Sequence, residues 1–363
     1  MLHTPFYDPT KSYEYNYEHG PFGAFAQSKA RNKNDQYITA LKKIAEPLYD
    51  YHGNKIYTPF GIPPGPLINS AFVKSAFAMG FDICVYKTVR SDSYPCHSYP
   101  NILALAVEGD LPVGGTYVAT SNYQEPLSIT NSFGVPSKPV EFWQEDVKKA
   151  IGCAEKGQVL VLSFMGTVRS GQTEQEFIDD HKVVAEKALE TGVKLLELNL
   201  SCPNIGNEGL ICYNLGMSEK ILKEIRKVIG RKPLTVKLGH FKNTKDLESF
   251  VHMAQSYVQG IASVNTLLAQ VVNEHGKQAL PGPNRLKSGI CGSGIKWAGL
   301  DMTRRLKKIR EDNGYEFIIE SMGGVMNADD YFEYKDAGAD VVMSATGAMW
   351  NPYLAQEIKE EVA

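Results

Sequence analysis

Hydrophobic positions along the chain fall into short continuous runs, separated by longer segments whose apolar residues have helical spacing. Strands that are buried on both faces appear in a sequence as near-continuous apolar runs. The pattern therefore predicts eight buried strands, at Ile56–Ile62, Ile83–Lys87, Val159–Phe164, Leu195–Leu200, Leu234–Leu238, Gly260–Asn265, Phe317–Ser321 and Val341–Ala345.

Helical patterns fill most of the intervals between these runs. Alternating strands and helices favour parallel strands joined by right-handed crossovers, and eight strands make a (β/α)8 TIM barrel the first choice in the α/β class. The alternative is a doubly wound open sheet, but no G-x-G-x-x-G motif follows an early strand to support it. The predicted helices are Asn69–Met79, Pro139–Ala154, Glu174–Glu190, Ser218–Ile229, Thr244–Tyr257, Leu300–Asp312 and Asp329–Lys335.

Three segments exceed a minimal barrel. Arg90–Pro126 and Leu267–Gly294 are long and rich in glycine and proline, and each follows a strand, so both are expected as long loops at the C-terminal face where active sites are built. Residues 1–50 carry several aromatic side chains and then a mixed-charge segment. We interpret them as an arm and one helix, around Asp35–Tyr49, that pack on a barrel spanning residues 51–363; a surface for a partner or a membrane is the alternative.

Composition narrows the function classes. The 363 residues include 38 basic and 41 acidic side chains, so the net charge of −3 gives no global case for nucleic-acid binding. No stretch has the length and apolarity of a membrane span, and the first residues lack the apolar core of a signal peptide, so we expect a cytoplasmic protein. The six cysteines form no C-x-x-C pair, which argues against a zinc or iron–sulfur site, and no metal is predicted.

Polar and glycine residues are concentrated where the predicted strands end. Gly323 and Gly324 follow the seventh strand, and Ala345, Thr346 and Gly347 follow the eighth. The loops after these two strands commonly bind phosphate in TIM barrels, because backbone amides converge there. Two such loops in succession favour a phosphate site over the alternative, which is that the glycines only allow tight turns.

Lys237 lies on the fifth predicted strand, where a buried ammonium must be paired or must contact a ligand. Three uses stay open for it: a Schiff base as in aldolases, stabilisation of an anion such as a reduced flavin, or a structural ion pair. Cys202 follows the fourth strand in a polar loop, where a thiolate serves as a nucleophile or a base. The other five cysteines lack polar neighbours of this kind and are interpreted as structural.

Four asparagines accompany Lys237 and Cys202 at the predicted strand ends and loops. An amide side chain offers both a donor and an acceptor, which suits a ring with alternating C=O and N–H groups such as a pyrimidine dione. These asparagines are Asn131, Asn199, Asn204 and Asn265.

The segment from Glu197 to Asn204, which reads ELNLSCPN, resembles the catalytic loop of class 1 dihydroorotate dehydrogenases, which are FMN-containing (β/α)8 barrels of pyrimidine biosynthesis. The similarity covers roughly residues 56–350. Further motifs resemble those of the family and occur in the same order. Tyr86-Lys87-Thr88 resembles a strand-end motif, Asn131 to Pro136 (NSFGVP) the substrate loop, and Thr235-Val236-Lys237 the motif that contains the flavin lysine. Val264-Asn265-Thr266 resembles the motif under the substrate ring, and Ser293-Gly294 and the two glycine loops resemble the remaining flavin-binding motifs.

The resemblance implies oxidation of dihydroorotate to orotate. Cys202 would remove the proton from C5 of the substrate, and a hydride would pass from C6 to N5 of FMN. The implied substrate residues are Lys87, Asn131, Phe133, Gly134, Val135, Asn199, Asn204, Asn265 and Thr266. The implied FMN residues are Pro64, Gly65, Lys87, Thr88, Asn199, Lys237, Val264, Ser293, Gly294, Gly323, Gly324, Ala345 and Thr346.

Some positions depart from the family pattern. Pro63 and Pro64 stand where Ala–Ser is usual against the flavin, and Ala345 stands where glycine is usual. Cys202 argues against the membrane-bound class, whose base is serine, and a homodimer that uses fumarate is favoured over transfer to NAD through a partner subunit.

Three other functions compete. The main alternative is a dihydropyrimidine dehydrogenase-like reduction of uracil or thymine, but those relatives carry histidine in place of Asn204 and an acidic residue near Phe133. A Schiff-base aldolase acting through Lys237 and a non-catalytic phosphate-binding barrel are the other two.

Overall fold

The computed structural model describes residues 2–28, 46–201 and 209–362. The strands are β1 (Tyr49–Tyr51), β2 (Asn54–Ile56), β3 (Phe60–Ile62), β4 (Ile83–Val89), β5 (Ile102–Leu105), β6 (Thr116–Thr120), β7 (Ser128–Asn131), β8 (Val159–Phe164), β9 (Leu195–Asn199), β10 (Leu234–Lys237), β11 (Gly260–Ser263), β12 (Leu267–Val272), β13 (Lys287–Gly292), β14 (Ile318–Met322) and β15 (Val341–Met343).

The helices of the described residues are α1 (Tyr13–His19), α2 (Gly23–Ser28), α3 (Ser70–Ala78), α4 (Val140–Ile151), α5 (Glu174–Leu189), α6 (Leu215–Ile229), α7 (Thr244–Ala254), α8 (Lys296–Asn313), α9 (Ala328–Ala337), α10 (Thr346–Trp350) and α11 (Leu354–Val362).

Eight parallel strands close into a barrel, in the order β3-β4-β8-β9-β10-β11-β14-β15 and back to β3. Each of the eight predicted runs overlaps one of these strands, although β4 and β14 continue past the predicted ends at Lys87 and Ser321. Helices α3 to α9 fall within the seven predicted helical segments or extend them by a few residues. The predicted (β/α)8 TIM barrel is confirmed, and closure of the sheet excludes the open doubly wound alternative.

The first predicted strand, Ile56–Ile62, is longer than the barrel strand that the structure shows. Ile56 ends β2, which pairs antiparallel with β1 in a hairpin, and the barrel strand begins only at Phe60. Between them, Thr58 donates its backbone N–H to the Asp82 carboxylate at 2.7 Å instead of to a neighbouring strand. Pro59 has no N–H to donate at all, so the chain cannot continue a ladder through this point.

The interior of the barrel is apolar at its amino end and polar toward its carboxyl end. Residues two apart on a strand face the same side, so Val85 and Val161 point inward and pack with Tyr51 and Ile56 of the β1–β2 hairpin. His52 of the hairpin lies beside Gly260, the first residue of β11, which places the hairpin at the amino ends of the strands. The hairpin therefore closes the end opposite to the expected active site.

The crossover helices bury a stripe of apolar side chains against the barrel. Helix α6 shows why its segment folds this way, because Ile221, Leu222, Ile225 and Ile229 recur at the three- and four-residue spacing of one helix face and are all buried. The side chain of Asn214 caps the first turn by accepting from the N–H of Met217 at 3.0 Å.

The two glycine- and proline-rich insertions meet and, together with β7, form a second, five-stranded closed sheet over the carboxyl ends of the barrel strands. Its strand order is β12-β13-β7-β5-β6, closed by a parallel pairing of β6 with β12, while the other pairs are antiparallel. The position of the insertions agrees with the prediction, but their strands were not predicted.

The N-terminal arm, residues 2–28, packs beside the same end of the barrel. His3 and Phe6 donate backbone N–H groups to the carbonyls of Trp350 and Met349 at 3.0 and 3.2 Å. Phe6 stacks on Phe25 with ring centroids 4.2 Å apart. Residues 35–45 of the predicted helix lie outside the described residues, and Tyr49, given as its end, begins strand β1 instead.

Candidate active site

A cavity lies between the carboxyl ends of the barrel strands, the five-stranded sheet and the N-terminal arm. Its empty space, including the part open to solvent, is about 1320 Å³. All but four of the predicted site residues line it. The predicted residues that line the cavity are Pro64, Gly65, Lys87, Thr88, Asn131, Phe133, Gly134, Val135, Asn199, Lys237, Val264, Asn265, Thr266, Gly323, Gly324, Ala345 and Thr346.

Two of the four exceptions are Ser293 and Gly294, which were assigned to the flavin phosphate by resemblance. Neither is part of the cavity lining: the Ser293 hydroxyl donates to the Leu127 carbonyl at 3.1 Å, and the Gly294 N–H donates to the Ser128 hydroxyl at 3.0 Å. These bonds join the start of α8 to the five-stranded sheet. The other two, Cys202 and Asn204, lie outside the described residues, so their assigned roles stay predictions.

Lys237 ends β10 with its side chain in the cavity wall and only 4% exposed. Burial lowers the pKa of its ammonium, while the nearby carboxylates of Glu197 and Glu320 act in the opposite direction. Within the described residues the ammonium has no hydrogen-bond partner. The two carboxylates accept hydrogen bonds from other side chains: Thr235 and Tyr51 donate to Glu320, and Ser163 donates to Glu197. A buried cation with open hydrogen-bonding positions suits an anionic or electron-rich ligand.

A chain of hydroxyl groups leads from the cavity into the barrel interior. Thr88, which lines the cavity, is 2.9 Å from the Ser163 hydroxyl, and Ser163 donates to Glu197 Oε1 at 2.7 Å. Burial raises the pKa of Glu197, and its Oε2 atom has no hydrogen-bond partner among the described residues. This carboxylate is therefore a counter-charge for Lys237 inside the barrel and holds Thr88 in place through Ser163.

The loops after β14 and β15 leave bare backbone facing the cavity. A Cβ atom at Gly347 would lie 2.1 Å from the Val325 carbonyl oxygen, so the two loops touch and only glycine fits between them. Gly324 has a φ of +69°, and a Cβ there would lie within 2.9 Å of the Lys296 backbone. The amides of Gly324, Thr346 and Gly347 have no acceptor among the described residues. Such a cradle of free N–H groups suits a phosphate.

Ser201 orients two of the asparagines. Asn199 Oδ1 accepts from both the N–H and the hydroxyl of Ser201 at 3.0 Å, and Asn265 Nδ2 donates to the Ser201 carbonyl at 3.0 Å. These bonds leave the Asn199 amide N–H₂ and the Asn265 amide oxygen without partners in the described part of the chain. One donor and one acceptor side by side match the edge of a pyrimidine dione.

Arg90 holds the loop of residues 131–136, which was predicted to bind the substrate. Its guanidinium donates to the carbonyls of Val135 and Gly134 at 2.9 and 3.1 Å, and also to Gly166 and Thr167 on the far side. Val135 has a φ of +54°, a left-handed conformation that costs energy for a β-branched residue. Because the loop carbonyls point away toward Arg90, the conformation of the loop is fixed from behind.

Sequence reasoning missed several residues of the cavity wall. Cys291 was interpreted as structural, yet it lines the cavity and accepts a hydrogen bond from Asn131 Nδ2 at 3.2 Å. Tyr7 and Tyr13 of the N-terminal arm also line the cavity. Arg90 was read only as the start of an insertion. No local pattern marks these residues, since each acts through a contact with a distant part of the chain.

Comparison with known proteins assigns the family. The family model described as dihydroorotate dehydrogenase matches residues 121–363. A dihydroorotate dehydrogenase of Dictyostelium discoideum is 33% identical over 98% of this chain and 97% of its own length. This chain belongs to the dihydroorotate dehydrogenase family. Because the Dictyostelium alignment covers 98% of this chain, it includes most of the N-terminal arm.

Other dihydroorotate dehydrogenases match smaller parts of the chain. The catalytic subunit of a dihydroorotate dehydrogenase B (NAD(+)) from Brachyspira hyodysenteriae is 28% identical over 67% of this chain and 73% of its own length. A dihydroorotate dehydrogenase A (fumarate) from Limosilactobacillus reuteri is 27% identical over 53% of this chain and 59% of its own length. Relatives named for two different electron acceptors thus match parts of this chain.

Among residues 2–28, 46–201 and 209–362, no helix is both long and apolar enough to span a membrane. In the same ranges, no three histidine, cysteine or acidic side chains are grouped as a metal site would require.

Proposed function

We propose that this chain is an FMN-dependent oxidoreductase of class 1 type that oxidises dihydroorotate to orotate in the synthesis of UMP. The observation that carries the proposal is the combination, in one cavity, of a buried Lys237, a bare glycine cradle and two asparagines. Among the described residues the Lys237 ammonium has no hydrogen-bond partner, and the asparagines keep one donor and one acceptor open. A phosphate-binding barrel without catalysis accounts for the glycine cradle alone.

The residues present fit FMN. The phosphate fits the amides of Gly324, Thr346 and Gly347, and Lys237 is available for a ring edge that becomes negatively charged. Thr88 and Gly65 lie in the wall of the same cavity. When bound, the flavin would supply the two-electron acceptor that no side chain of the protein provides.

The remaining polar groups fit a flat anionic pyrimidine. Asn199 offers a donor and Asn265 an acceptor to the ring edges, while Lys87 supplies a cation for the 6-carboxylate. The loop around Phe133, held from behind by Arg90, contributes backbone donors rather than an acidic side chain. A fixed arrangement of this kind positions the substrate carbon that is oxidised, which is most of what the protein contributes to the rate.

We assign the general base to Cys202, which follows β9 directly after Asn199, Leu200 and Ser201. It would take the proton from C5 of dihydroorotate as the C6–H bond breaks. A free thiol has a reference pKa of about 8.5, and such a group suits a base that works under mildly alkaline conditions. The assignment rests on the ELNLSCPN resemblance, because Cys202 lies outside the described residues.

An anaerobic titration tests the function. We expect dihydroorotate to bleach the flavin absorbance of the purified protein, and dihydrouracil, which lacks the 6-carboxylate, to bleach it poorly or not at all. A carboxylate in a partly dry pocket needs a cation, and Lys87 is placed to supply it. Bleaching by dihydrouracil alone would transfer the assignment to the dihydropyrimidine dehydrogenase alternative, and a protein that binds no flavin would refute both.

A substitution at Arg90 tests the substrate loop. We expect Arg90→Met to raise the KM for dihydroorotate about tenfold while FMN stays bound, because the carbonyls of Gly134 and Val135 lose their donors and the strained loop relaxes. Steady-state kinetics and flavin content measure the two effects. Arg169→Met is the matched control, since Arg169 contacts Asp180 and Ser91 and not the loop. Equal KM values in both variants would contradict the positioning role.

Fumarate as electron acceptor, a homodimer and a cytoplasmic location stay predictions. The alignments with one relative named for fumarate and another named for NAD(+) leave the choice of acceptor to experiment. Oxygen-free turnover with fumarate or NAD⁺ as the sole acceptor would decide it. The molar mass in solution would test the dimer, and the division into an arm of residues 1–50 and a barrel of residues 51–363 is testable by removing the arm.

A further inference from the structure

The N-terminal arm reaches the cavity through two tyrosines. Tyr7 directly follows Phe6, whose backbone N–H donates to the Met349 carbonyl, and it precedes the turn that leads into α1. Tyr13 is the first residue of α1. Both side chains are buried, and both line the cavity together with Phe133 of the substrate loop. The arm therefore forms part of the cavity wall and also packs on the barrel.

Both tyrosine rings pack on the substrate side of the cavity. The Phe133 ring meets Tyr7 edge-on at a centroid distance of 5.8 Å and Tyr13 at 6.1 Å. Phe133 is adjacent to Ser132 and Gly134, and its carbonyl accepts the N–H of His97 at 3.0 Å. The rings of Tyr7 and Tyr13 therefore pack against Phe133 in the loop that was assigned to the substrate.

Asn16 fixes the turn that presents the tyrosines. Its side-chain oxygen accepts the N–H of Asp8 at 2.7 Å, and its N–H₂ group donates to the carbonyls of Asp8 and Ser12, both at 2.9 Å. Asn16 is fully buried, so these bonds are shielded from water. A turn held by a buried side chain keeps both rings in place without help from a ligand.

Neither phenol group has an acceptor within residues 2–28, 46–201 and 209–362. Among the described residues the Tyr7 hydroxyl is a buried atom with no hydrogen-bond partner. The Tyr13 side chain is 6% exposed, and its hydroxyl makes no hydrogen bond to the same part of the chain. Burial raises the pKa of both groups far above the usual value, and Cys96 and Glu14 act in the same direction. Each group therefore stays protonated and is a donor. A buried donor without an acceptor is costly, and the cost is removed when a ligand accepts the bond.

We propose that the N-terminal arm completes the substrate pocket, with the hydroxyls of Tyr7 and Tyr13 donating hydrogen bonds to the carboxylate of the bound substrate. The inference rests on the proposed function, because it takes the ligand beside Phe133 to be an anionic pyrimidine. Lys87 in the same wall supplies the positive charge, and the two phenols supply neutral donors that accept no proton from the ligand. The tyrosines thereby favour an anionic substrate over a neutral one.

Orotate binding to the FMN-loaded protein tests the proposal. Tyr7→Phe and Tyr13→Phe keep the rings and remove only the hydroxyls, so we expect each to weaken orotate binding about tenfold or more, the effect of losing a hydrogen bond to a charged group. FMN affinity should stay within about twofold, since the ring contacts with Phe133 are retained. Isothermal titration calorimetry gives both dissociation constants, and the KM for dihydroorotate should rise more than kcat falls.

Tyr15→Phe is the matched control. Tyr15 lies on the same helix but is 39% exposed and stacks on His19 at a centroid distance of 4.4 Å, outside the cavity. Unchanged orotate affinity in Tyr7→Phe and Tyr13→Phe, or an equal loss of orotate and FMN affinity, would overturn the proposal. Wild-type protein that binds FMN but neither binds orotate nor is reduced by dihydroorotate would instead refute the proposed function, so the two failures are distinguishable.

Discussion

Cys202→Ala is expected to slow the reduction of bound flavin by dihydroorotate by about 10²–10⁴-fold, the usual contribution of a positioned general base. The variant should keep its flavin, because Cys202 is assigned to the proton at C5 and not to cofactor binding. Cys202→Ser should retain part of the activity with its pH optimum shifted upward, since a hydroxyl is harder to deprotonate than a thiol. Stopped-flow absorbance of the flavin measures these rates directly.

Cys212→Ala is the control for this substitution. Cys212 is 1% exposed and lies near the same loop, with its N–H bonded to the Leu200 carbonyl at 3.0 Å, but it does not line the cavity. Burial raises its pKa to about 12, so it is no candidate for the base. Wild-type rates in Cys202→Ala would remove Cys202 from the mechanism, whereas similar losses in both variants would indicate a packing effect.

The barrel was predictable because its strands are buried on both faces. Segments such as Val159–Phe164 are nearly continuous in apolar character. Eight such segments alternating with amphipathic helices are compatible with few folds other than a TIM barrel. The five-stranded sheet gave no such signal. Strand β6 is largely accessible, and its pairing with β12 joins segments far apart in the sequence, so no local period marks it.

The site was predictable where its residues follow barrel strands. Lys87, Asn199 and Lys237 sit at strand ends, and strand ends meet at one face of a barrel whatever the details of packing. Arg90 shows why the rest was missed, because its loop partners Gly134 and Val135 lie 44 and 45 residues along the chain. Only the tertiary fold brings such residues together.

The N-terminal arm shows the same limit. Aromatic residues in an irregular segment predict packing, but nothing in the sequence around Tyr7 or Tyr13 indicates which surface they cover. Their contact with Phe133 depends on how the arm crosses the barrel end, which is set by backbone bonds to Trp350 and Met349 at the other end of the chain.

Lys237→Met is expected to weaken FMN binding and to slow flavin reduction by about 10²–10³-fold, the usual loss when a preorganised charge-stabilising group is removed. Methionine keeps most of the volume, so the barrel interior stays filled. It cannot offset negative charge that develops on the ligand, and it leaves Glu197 without the neighbour that holds down its pKa. In this variant Glu197 should take up a proton more readily, which shifts the pH profile of reduction upward.

The control for Lys237→Met is a lysine on the approach to the same strand. Lys232 precedes β10 at its amino end and donates to the Val193 carbonyl at 2.6 Å, far from the cavity lining. Lys232→Met should therefore leave FMN affinity and the reduction rate near wild type. Flavin content, the midpoint potential and stopped-flow reduction of both variants give the comparison. If Lys237→Met keeps a wild-type potential and rate, its ammonium acts only as a structural partner of Glu197 and Glu320 inside the barrel.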